Sequence, residues 1–216
     1  MNIMRDTIDL KAIPVKVYIY KTAPALAPGR QHELGEILLD HALADAGITP
    51  YERIRTKKGK PLVYASDHQS ANADRGPEFC HVSLSHTPGY VICALCVERP
   101  VGVDVEILGG HRLSASQMRR TEKKLLKQEF EPEFEATLAA ADEQQLRERT
   151  CRFYERWTLA EAFGKMKGVG LAFSERYDEI ITCPHETRHV ENTIITVLAG
   201  GTAQERLATE WKEISI

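Results

Sequence analysis

The chain lacks the features that would place it in a membrane, in an oxidising compartment or along a nucleic acid. The longest apolar run in its 216 residues, YVICALCV at 90–97, is far short of the roughly 20 residues that a bilayer-crossing helix requires. Its opening stretch, MNIMRDTIDLKAIPVKVYIYK, contains no continuous apolar segment of the secretory type. Positive charge is not in excess: the net charge of −3 argues against binding nucleic acid over the whole surface and leaves room only for a local basic patch. Cysteine is sparse and odd in number. Cys80, Cys93, Cys96, Cys151 and Cys183 are scattered, which suits a reducing compartment and not a disulfide framework. Cys93 and Cys96 form a CxxC, but inside a strand they fall on opposite faces and cannot share one zinc, so they read as packing residues. These absences predict a cytoplasmic chain with neither membrane nor nucleic acid as a partner.

What is present is ordinary for a globular protein: 43% hydrophobic and 27% charged residues, enough for one large domain or two small ones sharing an interface. The pattern predicts a strand at 15–20 and a helix over 31–46, where Leu34, Ile37, Leu38, Ala42 and Leu43 follow helical spacing. Gly47 is placed to stop that helix. Short β-prone runs follow, KPLVYA, HVSLSH, YVICALCV and GVDVEI, bounded by turn signals at Ser66-Asp67, Thr87-Pro88-Gly89 and Arg99-Pro100. The last two runs read as a hairpin. The second half turns helical at 116–128, 133–145 and 149–167, the last closed by Gly168 and Gly170, before β-prone runs return at EIITC, NTIITVLA and EWKEISI. The predicted class is α+β, with two α+β halves at 1–100 and 101–216 and a helical connector in the second. Within the connector, Arg112, Arg119, Arg120, Lys123, Lys124 and Lys127 are opposed only by Glu122, a solvated face or a docking surface for an acidic partner.

Two stretches carry chemistry. In VGVDVEI, Val101, Val103, Val105 and Ile107 share one face of a strand, while Gly102, Asp104 and Glu106 share the other. An acidic face on a core strand is either solvated or a site for a hard cation such as Mg²⁺, which takes oxygen ligands and leaves positions for phosphates. In FYERWTLAEAFGKMKGVGL, Phe153, Trp157, Glu161 and Lys165 recur at helical spacing and form one stripe. Glu161 and Lys165 are an exposed ion pair, or, if the buried aromatics carry the stripe inward, Glu161 is a third carboxylate that needs a metal or lysine partner. Ser85 and His86 in SLSHTPGY, and the basic turn KKGKP, are weak signals individually.

Taken in order, GKP at 59–61, SLSH at 83–86, GVDVE at 102–106 and WTLAEAFGKMKGVGL at 157–171 resemble the 4′-phosphopantetheinyl transferase family of Sfp type. The resemblance implies two similar α+β halves related by a pseudo-two-fold, with coenzyme A bound in the cleft between them. It implies an enzyme that moves the 4′-phosphopantetheine arm of coenzyme A onto a serine of an apo acyl or peptidyl carrier protein, releasing adenosine 3′,5′-bisphosphate. Such carriers serve fatty-acid, polyketide or nonribosomal-peptide synthesis. Asp104, Glu106 and Glu161 would hold Mg²⁺, with Mn²⁺ an alternative. Glu161, directly or through a bound water, would take the serine proton, and Lys165 would stabilise charge on the phosphate. Lys60, Ser85 and His86 match positions that contact the nucleotide and its phosphates. The basic segment, including Arg112, Arg119, Arg120, Lys123 and Lys124, would meet an acidic carrier, and the chain would work as a monomer.

Two departures from the family pattern stand out. The family helix usually reads W-[ST]-x-K-E, and here the lysine is Ala160, which removes a cation and raises the alternative of a homologue that binds coenzyme A or carrier without efficient transfer. The C-terminal LATEWKEISI lacks the apolar strand that commonly follows, so the second sheet is expected to be short or completed by other means. An unrelated Mg²⁺-dependent phosphoesterase using the same carboxylates is a further alternative, distinguished by needing no protein acceptor.

Overall fold

Side chains alternate along β1 (Ala12–Lys21): Ile13, Val15 and Val17 enter one apolar cluster and Tyr18 the cluster on the opposite side. This strand therefore lies in a sheet buried on both faces. The computed structural model describes residues 12–24, 26, 28–56, 60–65, 79–108, 115–126, 143–170 and 177–216. They form a mixed α+β protein.

The first sheet has six strands in the order β2-β3-β4-β5-β1-β9, comprising β2 (Tyr51–Arg55), β3 (Pro61–Ala65), β4 (Phe79–Thr87), β5 (Tyr90–Cys96) and β9 (Arg206–Glu213) besides β1. All pairings are antiparallel except β1 with β9. One face is covered by α1 (Pro28–Asp45), whose Leu34, Leu38, Leu39, Ala42 and Leu43 pack on Tyr18, Val82, Val91, Cys93 and Leu95. Each fully buried leucine contributes about 1.5–3 kcal/mol relative to exposure. Gly47, at φ 75°, ends the helix as the sequence predicts: its N–H donates to Ala44 and that of Ile48 to Leu43, a Schellman closure.

The second sheet has three antiparallel strands in the order β6-β8-β7, namely β6 (Val101–Ile107), β8 (Thr193–Ala199) and β7 (His185–Val190). Val101, Val103 and Val105 of β6, with Ile195, Val197 and Ala199 of β8, pack on the free face of the first sheet. The opposite face is covered by α3 (Glu143–Lys167), which follows α2 (Ala115–Leu126). Phe153 and Tyr154 pack with Ile194, and Ala162, Phe163 and Met166 with Leu198. The layers thus run helix, sheet, sheet, helix.

Several sequence expectations are corrected. β5 and β6 are not a hairpin: β5 already has β4 and β1 as neighbours, and residues 97–100, ending in Pro100, carry the chain into the other sheet. EIITC is not a strand but lies in and just beyond α4 (Tyr177–Thr182). Ile180 and Cys183, three residues apart, share one helical face toward the cluster under α3. Near the C-terminus β9 forms and pairs parallel with β1 in the first sheet, where Leu207 and Trp211 cover the inter-sheet core. The expected helix at 133–145 falls mainly on residues 127–142, outside the described residues; its last three residues open α3. CxxC behaves as expected, with Cys93 on the α1 side and Cys96 in the inter-sheet core.

Candidate active site

The acidic face of β6 meets α3 at very short range because Gly102 has no side chain. A Cβ there would lie 1.9 Å from the Ala162 carbonyl oxygen, so only glycine lets the helix seat on the strand. That approach brings Glu161 and Lys165, on either side of Ala162, over Asp104. β6 is an edge strand, and its free edge is satisfied by other elements: the Val103 N–H donates to Ser83 Oγ at 3.1 Å and Lys60 Nζ donates to the Val101 carbonyl at 3.4 Å, while the same Nζ also donates to the Met166 carbonyl at the end of α3.

Asp104 is buried, not part of a solvated face. Lys165 Nζ reaches its Oδ1 and Ser85 Oγ at 2.7 Å each, and the Ser85 hydroxyl donates to the same Oδ1 at 2.9 Å. The lysine of the stripe therefore joins two sheets and a helix rather than forming a simple surface pair with Glu161. Trp157 lies stacked on Phe153 and donates its indole N–H to Glu106 at 3.3 Å. Burial, and then the negative charge of Asp104, push the Glu161 carboxyl up to about 7; Lys165 opposes this and Glu106 adds to it.

The other oxygen of Asp104, Oδ2, is buried with no hydrogen-bond partner. An orphaned carboxylate oxygen beside two more carboxylates, all hard donors, is the arrangement a divalent cation would satisfy. In donor chemistry the residues present fit such an ion.

Beside Lys165 opens a cavity of about 550 Å³, bordered by His32, Arg55, Lys60, His86, Lys165 and Gly168. Its wall carries several cations and imidazoles, a lining suited to phosphates, together with one carboxylate, Glu36, which pairs with Arg55 at 2.8 Å. Burial pulls Lys60 down to about 8. His86 is also held below its ordinary value, first by desolvation and then by Lys165 and His32. The α3 helix ends at this cavity in a second Schellman closure, with Gly168 at φ 67°, the Gly168 N–H donating to Lys165 and that of Val169 to Gly164.

All the residues singled out from the sequence, Lys60, Ser85, His86, Asp104, Glu106, Glu161 and Lys165, thus gather at one junction. His32 on α1 and Arg55 on β2 also border it and had no motif to announce them. Ala160 is fully buried in a cluster with Leu159, Phe163 and Ile180 and is not among the residues bordering the cavity. Lys167 does not substitute for the missing lysine: it pairs with Glu179 at 2.9 Å and lies over the Phe163 ring. In the basic segment, Arg120 and Lys124 are exposed on α2. Arg112 and the side chains of Arg119 and Lys123 lie outside what the structure describes.

Residues 100–212 match the family description 4′-phosphopantetheinyl transferase superfamily. The match covers more than half of the chain, and the chain belongs to that superfamily. Among curated proteins, it is 29% identical over 153 residues to an L-aminoadipate-semialdehyde dehydrogenase-phosphopantetheinyl transferase of Xenopus laevis, covering 69% of this chain and 47% of that protein. It is 26% identical over 151 residues to the 4′-phosphopantetheinyl transferase psf-1 of Bacillus pumilus, covering 68% of this chain and 54% of that protein. The chain thus spans about half the length of these relatives. Among the described residues no helix is long and apolar enough to cross a membrane.

Proposed function

We propose that this chain transfers the 4′-phosphopantetheine arm of coenzyme A to a serine hydroxyl of an apo carrier protein and releases adenosine 3′,5′-bisphosphate. The observation that carries the reading is the junction of Asp104, Ser85 and Lys165 beside a crowded Glu161 and a cation-lined cavity. The reading of two α+β halves, 1–100 and 101–216, with a cleft between them is supported by two sheet-and-helix layers whose boundary holds this cavity, with β9 of the second half lent to the first sheet.

Asp104, Glu106 and Glu161 would hold Mg²⁺, or Mn²⁺, which when bound supplies charge neutralisation for a diphosphate. Lys60 and His86 border the cavity and bind phosphate oxygens of coenzyme A, and Ser85 holds Lys165 in line with Asp104. Lys165 stabilises negative charge on the phosphoryl group as it passes to the acceptor. Glu161, directly or through a bound water, takes the proton of the carrier serine. The serine oxygen forms the new bond to phosphorus while the bond to the nucleotide phosphate breaks. Positioning and electrostatics do most of the work in such transfers. An acidic carrier would dock near Arg120 and Lys124, with Arg112, Arg119 and Lys123 of the same basic segment. The protein acts as a cytoplasmic monomer.

The test is intact-protein mass spectrometry of several apo carriers with coenzyme A and Mg²⁺, beside Glu161→Ala and EDTA controls. One added phosphopantetheine that requires metal, Glu161 and the acceptor serine is the expected result. Binding of coenzyme A with no transfer to any carrier would replace the reading by a binding protein in which Ala160 marks lost activity. Metal-dependent hydrolysis without an acceptor would replace it by a phosphoesterase.

A further inference from the structure

On the far end of α3, away from the cavity, Cys151 and Glu155 sit one helical turn apart and point at His189 of β7. The His189 ring lies between them: Nε2 is 2.9 Å from Glu155 Oε1 and Nδ1 is 3.7 Å from Cys151 Sγ, while Sγ is 3.9 Å from the same Oε1. One donor atom from each residue lies within 4.8 Å of the others. None of these residues belongs to the junction proposed for transfer.

A histidine–carboxylate pair at a surface would by itself be of little consequence. The thiol changes the chemistry. Tetrahedral zinc with a metal–sulfur length of about 2.3 Å and a metal–nitrogen or metal–oxygen length of about 2.05 Å separates neighbouring ligand atoms by roughly 3.6 Å. With Nδ1 as the ligating nitrogen, the Sγ to Nδ1 and Sγ to Oε1 separations, 3.7 and 3.9 Å, are close to that edge, and the Nε2 contact to Glu155 gives way when the ion binds. A thiolate, an imidazole and a carboxylate are also a donor set that prefers zinc over the hard ions suited to Asp104, Glu106 and Glu161. Glu155 and His189 are 41% and 43% exposed, which leaves an entry path and room for a fourth ligand from solvent.

We infer that Cys151, Glu155 and His189 form a second metal site, for Zn²⁺ or a similar borderline-soft divalent ion, that clasps α3 to β7. Three protein ligands and one open position would complete the coordination. Binding replaces the Cys151 thiol proton by the ion and releases that proton to solvent, so affinity rises with pH. The two ligand-bearing elements meet only in the folded chain, so the ion stabilises it.

The test uses the full chain, freed of metal and reduced, titrated with Co²⁺ as a spectroscopic stand-in and then with Zn²⁺. The expected result is a thiolate-to-cobalt charge-transfer band with intense tetrahedral d–d bands, both erased by Zn²⁺. Cys151→Ser abolishes the charge-transfer band, and His189→Gln weakens binding by at least about tenfold, the lower bound seen even for residues that only support ligands. Zn²⁺ raises the melting temperature of the wild-type chain and not that of Cys151→Ser. The carboxylate junction has no sulfur and gives no such band. Absence of the band in the wild-type chain at saturating Co²⁺, or its persistence in Cys151→Ser, overturns the proposal.

Discussion

The two helix-on-sheet layers of this molecule are built alike and used differently. Where α1 covers the first sheet, the buried contact is almost entirely apolar: Leu38, Leu39 and Leu43 against Val91, Cys93 and Leu95. Where α3 covers the second sheet, Asp104, Glu106, Glu161 and Lys165 are set among Phe163, Met166 and Leu198. The first contact gains free energy from removing apolar surface from water; the second gives up part of that gain to hold charges close together. A buried aspartate with an orphaned oxygen and a carboxyl pushed toward neutrality are liabilities for stability. They are comprehensible at a site that receives a cation and phosphates.

Leu38→Ala under α1 should cost about 2–5 kcal/mol of stability, read by denaturant unfolding, while transfer per folded molecule stays unchanged. Gly102→Ala under α3 should cost roughly 1–3 kcal/mol through overpacking. By moving Glu161 and Lys165 it should also lower turnover by about 100-fold, as a misplacement near 1 Å can. Ser83→Ala should cost about 1–3 kcal/mol by leaving the Val103 N–H without its acceptor. Asp104→Asn should cost roughly 1–3 kcal/mol, because it leaves the partly buried Lys165 ammonium without its charged partner. The same change should eliminate transfer.

The smallest expected effect is one of pH. Folded Glu161 keeps its proton up to about 7, against an ordinary value of 4.5. Between these values the folded chain binds more protons than the unfolded one, so this group lowers stability as pH rises from 4.5 to about 7. Metal-free unfolding curves across that range should show the decline, and Glu161→Gln should remove it.

Much of the second layer was legible in the sequence. Alternation in VGVDVEI gave the two faces of β6, and the spacing of Phe153, Trp157, Glu161 and Lys165 gave one helical face, because both follow from backbone periodicity alone. Gly47 and Gly168 announced the helix ends for the same local reason. What could not be read were relations across the chain. Neither the pairing of β6 with β8 nor the return of β9 to β1 has a local signature. That Lys165 would meet Asp104 and Ser85 rather than Glu161 depends on how closely Gly102 lets α3 approach. His32 and Arg55 reach the cavity because α1 begins and β2 ends beside it, and EIITC misled because a short apolar run fits a strand and a helix equally well.

The most direct measurement is the melting temperature as a function of Mg²⁺ for the wild-type chain and Asp104→Asn. Mg²⁺ should raise the melting point of the wild-type chain progressively, as an ion bound only by the folded state must, and leave Asp104→Asn unmoved. No response in the wild-type chain, or an equal response in both, would contradict a cation site on the acidic face of β6.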